Sequence, residues 1–104
     1  MTWEPRDNPL PRDVLASAEV REACARRDIG TIFRIARDRA GFSLNTLGRL
    51  CEMTPSRVGA YANGAMRVRE QRVLERVADG LRIPGRMLGL TSRSWERPGP
   101  PKRS

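Results

Sequence analysis

The chain has 104 residues, room for one compact domain, and an aromatic content of 5% with few β-branched runs excludes an all-β fold. It holds no histidine and only two cysteines, too few for a zinc ligand set or a Cys-His nucleophile; with no convergent carboxylate pair, the chain reads as a non-enzyme that needs no metal or cofactor. A formal charge of +8 and a pI near 11.3 point to a polyanionic partner, and all the basic residues but Lys102 are arginines, whose planar fork suits phosphate and guanine, although a GC-rich coding sequence would enrich arginine as well.

Residues 1–13 mix prolines with charges and read as a flexible segment. Ser17 is the first good helix cap, followed by Glu19 in the first turn and by Val20, Ala23 and Cys24 on one face. Asp28 caps the next helix, expected over Ile29 to Ala40 with Gly41 as its left-handed stop. Its apolar stripe is Ile29, Ile32, Phe33, Ile35, Ala36 and Ala40, which leaves Arg34, Arg37, Asp38 and Arg39 for solvent.

Ser43 opens a third helix with Leu44, Leu47, Leu50 and Cys51 at helical spacing. After a short turn at Glu52 and Met53, Thr54-Pro55 starts a fourth, because threonine caps well and proline is preorganised for the first helical position. That helix should run to about Ala62, anchored inward by Val58 and Tyr61, and stop at Asn63-Gly64. Two helices so short and so closely joined must cross steeply. A fifth helix is expected from Glu70 to Asp79, with Val73, Leu74 and Val77 inward and Gly80 as its stop. Ile83-Pro84 then begins a last turn carrying Met87, Leu88 and Leu90. Residues 91–104 close the chain as a disordered Pro/Arg-rich tail, so the folded part is placed at 14–90. The fold class is all-α, a compact cluster of five or six helices.

The order of features from Ile29 to Leu88 resembles the repressor/Cro-like, or XRE-type, helix-turn-helix family. The stretch SLNTLGRLCEMTPSRVGAYANG, Ser43 to Gly64, is similar to the family's motif: Leu47 takes its leucine, Gly48 its small residue at the crossing, Val58 its β-branched core residue and Asn63-Gly64 its exit. VLERVADGLRIP, Val73 to Pro84, resembles the family's following helix and turn, and Asp28 to Ala40 looks like the first helix of many actinobacterial members. The resemblance implies a lambda-repressor-like domain that binds double-stranded DNA with Pro55 to Ala62 in the major groove. Base-reading positions then fall on Pro55, Ser56, Gly59 and Ala60, with Arg57 beside them meeting either a guanine or a phosphate. Phosphate contacts would come from the helix starts at Ser43 and Thr54, from Asn63, and from Arg67 or Arg69.

Two positions depart from the family pattern. Leu44 stands where many relatives carry glutamine, which leaves open a protein-interaction module, an adaptor or antitoxin-like component, as the alternative to a transcriptional regulator. Glu52 replaces the usual turn glycine and requires either a left-handed backbone or an altered turn. Leu81, Ile83, Met87, Leu88 and Leu90 exceed the needs of a small core, and in this family the corresponding surface often pairs two subunits, so a homodimer is expected there. Cys24 and Cys51 read as reduced, partly buried thiols, with a disulfide or redox switch as the other possibility. Trp3 and Trp95 serve either as packing against the domain or as anchors for another protein, and the PGPP stretch at Pro98 to Pro101 reads as linker or as an extended ligand. No run is long enough for a membrane span, and no signal-peptide core is present, so the expected location is cytoplasmic.

Overall fold

A computed structural model of the chain describes residues 10–96. Among them are six α-helices: α1 (Arg12–Leu15), α2 (Ala18–Ala25), α3 (Ile29–Ala40), α4 (Leu44–Cys51), α5 (Pro55–Ala62) and α6 (Gln71–Leu81). Two 3-10 turns follow, at Gly85–Leu88 and Ser94–Glu96. No strand occurs among the described residues. The all-α expectation holds.

Local chemistry starts four of these helices. The hydroxyl of Ser17 accepts from the Val20 amide, the carboxylate of Asp28 from Thr31, and the hydroxyls of Ser43 and Thr54 from Thr46 and Arg57. Each bond satisfies an amide that the first turn leaves without a partner. Burial opposes ionisation of Asp28, but hydrogen bonds from Thr31 and the charges of Arg26 and Arg34 outweigh it and hold its carboxyl below the usual range. Gly41 ends α3 in the left-handed conformation.

The core is a single cluster that joins every helix: Val20, Ala23, Ile29, Ile32, Phe33, Leu47, Val58, Tyr61, Val77 and Leu81 are among its buried members. α3 packs on α5, α4 on both α5 and α6, and α2 on α3. Cys24 and Cys51 are free and fully buried rather than partly so. Burial pushes their thiols up to about 11 and about 12, which leaves almost no thiolate at neutral pH and makes them inert packing groups.

Three boundaries differ from the sequence expectation. Folded structure begins before Val14, because Leu10 is buried and α1 follows it directly. α6 runs through Gly80 to Leu81, and the left-handed stop is Arg82, at φ 56°. Gly80 serves packing instead: a Cβ there would lie 2.2 Å from the Leu50 carbonyl oxygen, so the bare backbone is what lets α6 meet the end of α4. Arg82 is held in its unfavourable backbone by its own side chain, which donates to the Asp79 carbonyl at 2.7 Å and lies over the Trp95 ring.

Residues 91–96, expected in the tail, fold back onto α6. Arg93 donates twice to the Asp79 carboxylate at 2.9 and 3.0 Å, Trp95 Nε1 donates to the same group at 2.9 Å, and Glu96 accepts from the amides of Gly85 and Arg93. The Arg93 and Trp95 bonds hold the Asp79 carboxyl below its usual range. Trp95 is thus a packing residue. Trp3 and the Pro98 to Pro101 stretch lie outside the described residues.

Of the two options for Glu52, the left-handed one is realised, at φ 58° and ψ 49°. A side chain in that region costs about 1–2 kcal/mol. Part of this is offset in the unfolded chain, which glycine makes more flexible. Glu52→Gly is therefore expected to stabilise the protein by about 1 kcal/mol, read as a higher midpoint of urea unfolding with unchanged slope. An unchanged or lower midpoint would show that the turn tolerates a side chain at no cost.

Candidate nucleic-acid interface

The placement of α5 follows from two contacts on its inner side. Val58 is fully buried, and the Tyr61 ring meets Phe33 of α3 edge to face, with centroids 6.3 Å apart and planes at 67°. At its other end Arg34, expected in solvent, donates to the Ala62 carbonyl and, at 2.8 Å, to the Thr31 hydroxyl. A cation on the last carbonyls of a helix satisfies acceptors that lack an intrahelical donor and opposes the negative end of the dipole. Nothing in the sequence signals this grip, because Arg34 and Ala62 are brought together only by the crossing of α3 and α5.

With its inner side so fixed, α5 presents Pro55, Ser56 and Arg57 to solvent, and Gly59 and Ala60 half exposed. Its own sequence holds no acidic residue. Ser43 and Thr54 stand at the starts of α4 and α5, where their hydroxyls serve as caps. The Asn63 side chain is partly engaged too, since its Oδ1 accepts from the Ala65 amide at 2.9 Å. Its amide nitrogen still has donors to offer.

Arg57, Arg67 and Arg69 share one cleft of about 360 Å³ with Tyr61, Met66 and Glu70. These three guanidinium groups hold no partner among the described residues, so the fold gathers uncommitted cations from α5 and from the loop after it onto one side. Glu70 is the one carboxylate that lines this cleft.

Leu44 does not form a free apolar face. It is half-buried against the core, with Cδ1 3.6 Å from where a Cβ on Gly59 would stand. A Cβ at Gly59 would therefore touch Leu44 at an ordinary contact distance. The pairing surface expected after α6 also needs correction: Leu81, Ile83 and Leu88 are buried at 0%, 0% and 1% exposure in the chain's own core and cannot meet a second copy. The first 3-10 turn packs on α2 and α6, and Glu96 ties residues 91–96 to its start through the Gly85 amide. Met87 and Leu90 remain half-buried.

Two short helices packed together across a tight turn, the second with an exposed outer face and arginines gathered beside it, define a helix-turn-helix protein of the DNA-binding class. The chain belongs to the helix-turn-helix domain family, whose model, described as "Helix-turn-helix domain", matches residues 28–89, more than half the chain. Neither the curated proteins nor the solved structures yield a match. No helix among the described residues is long and apolar enough to cross a membrane.

Proposed function

We propose that the chain is a sequence-specific, double-stranded-DNA-binding transcriptional regulator of the bacterial repressor/Cro-like, XRE type, or the DNA-binding part of one, acting in the cytoplasm where the DNA lies. The observation that carries this reading is the exposed, acid-free side of α5 flanked by the unpartnered guanidinium groups of Arg57, Arg67 and Arg69. In this reading α5 enters the major groove with its N-terminal end foremost. Ser56 and Arg57 read base edges, and Gly59 and Ala60 allow close approach without contributing hydrogen bonds. Asn63, Arg67, Arg69 and the amides at the starts of α4 and α5 hold the phosphates.

The two groups of arginines give different signatures. Arg57→Ala is expected to cost about 1–3 kcal/mol on the preferred sequence and to flatten preference at one base position. Arg67→Ala should weaken every sequence alike and reduce the slope of log affinity against log salt by about one. Selection from a random duplex pool, then titration of both variants at several salt concentrations, measures both effects. Equal losses on all sequences for both variants would remove Arg57 from base reading, and a wild-type chain without salt-dependent duplex binding would end the regulator reading.

The same selection tests assembly. We include a homodimer in the proposal, so the consensus should be two half-sites related by a two-fold axis. Of the five apolar residues after α6, Met87 and Leu90 are the two left with surface to offer such a contact.

A further inference from the structure

A second basic cleft, of about 470 Å³, adjoins the first beside the C-terminal end of α5. Arg26, Arg27, Asp28 and Arg34 line it on the α2–α3 side, and Tyr61, Met66 and Arg67 on the side of α5 and the following loop. Four guanidinium groups face one carboxylate there. Two of the four are already fixed by the fold, Arg27 through Nε to the Leu88 carbonyl at 3.2 Å and Arg34 through the Ala62 carbonyl. Arg67 has no partner among the described residues. Arg26 is 60% exposed and has only a loose pair with Asp28, at 3.7 Å. Exposed pairs of this kind are weak and exchange readily for a stronger anion.

Arg67, Met66 and Tyr61 line both this cleft and the one that holds Arg57 and Arg69. The two clefts therefore form one basic track along α5. Resting on the reading given above, we propose that the duplex backbone continues along this track, and that Arg26, between α2 and α3, closes on a DNA phosphate together with Arg67. Arg26 lies two residues before the family match and Arg67 within it, so the contact joins a residue outside the matched region to one inside it. Bidentate guanidinium–phosphate geometry supplies the affinity, and the fixed charges of Arg27 and Arg34 supply a positive field that needs no reordering on binding. Asp28, the single carboxylate in the cleft, opposes it.

The test uses the full chain and two exposed-site variants of opposite sign. Arg26→Gln should lower duplex affinity about fivefold near physiological salt, equally on the selected and on a scrambled sequence, and reduce the salt slope by about one. Asp28→Asn keeps a good helix cap and should raise affinity about twofold on both sequences. Equal thermal midpoints for the three proteins establish that folding is not the cause. Wild-type slopes and affinities in both variants, while Arg67→Ala still weakens binding, would overturn the track and leave the regulator reading standing. Absence of salt-dependent duplex binding by the wild-type chain would overturn both. Binding of inorganic phosphate that is lost in Arg26→Gln, with DNA binding unaltered, would assign the cleft to a free anion and likewise overturn the proposal.

Discussion

Gly48→Ala is expected to destabilise the protein by about 2 kcal/mol and to lower its melting temperature by roughly 8–16 °C, whereas Gly59→Ala, one turn into the next helix, should stabilise it. Both changes add a single methyl group to a helix, where alanine is intrinsically the better residue by about 1 kcal/mol. Surroundings decide the sign. A Cβ on Gly48 would lie 2.5 Å from the Met53 carbonyl oxygen in the turn and 3.4 Å from the Pro55 nitrogen at the start of α5, both backbone atoms. Backbone cannot rotate away as a side-chain tip can, so α4 and the turn must separate, and overpacking of this kind costs about 1–3 kcal/mol. The Cβ on Gly59 would meet only Leu44 Cδ1, at an ordinary contact distance of 3.6 Å.

The separation also moves α5 relative to α4, so the folded fraction of Gly48→Ala should bind duplex DNA more weakly at every salt concentration. Thermal unfolding followed by circular dichroism measures the first effect, and titration well below the melting temperature measures the second. A Gly48→Ala protein as stable as the wild type would show that the helix crossing is looser than these distances imply.

Phe33→Ala should cost about 3–5 kcal/mol, the usual range for emptying a fully buried aromatic site. Phe33 has no exposed surface, and its ring forms the edge-to-face contact with Tyr61, a pairing worth about 0.5–1.5 kcal/mol beyond burial. A domain of this size has a total stability of about 5–15 kcal/mol, so the variant is expected to be largely or partly unfolded at 37 °C. Phe33→Leu keeps most of the volume and should lose less, roughly 1–1.5 kcal/mol. Urea unfolding of the pair separates the contributions. Similar losses for both would indicate that the Tyr61 contact, rather than the cavity, dominates. Because Tyr61 belongs to α5, either loss loosens the element on which the proposed DNA contact depends.

The starts of α2, α3, α4 and α5 are legible in the sequence because a cap bond joins residues three apart, as with Ser17 and Val20 or Thr54 and Arg57. The buried stripe of α3 is legible for the same local reason: it depends only on helical periodicity. A resemblance to one family, read from Ser43–Gly64 and Val73–Pro84, leads to the same bihelical motif that the family model covers. How the five apolar residues after α6 divide between core and surface is not legible. Burial of Leu81, Ile83 and Leu88 is decided by what packs over them, and hydrophobicity alone reads equally as core or interface.

Tertiary structure decided the features that join distant residues. Arg34 reaches Ala62 across 28 positions, and Arg27 reaches Leu88 across 61. Gly80 resembles a helix stop in isolation and becomes a packing site only because the end of α4 lies against it. Asp79 gathers Arg93 and Trp95 from a stretch whose composition reads as tail. In each case the deciding quantity is a distance between segments that lie apart in the chain and meet only in the fold. Hydrogen-bond and packing energies fall off within an ångström or two, so sequence alone determines the cap-started helices α2 to α5 and the overall charge, while the fold decides where α6 ends, that α1 forms, and which arginines stand free beside α5 or are held as structural bonds.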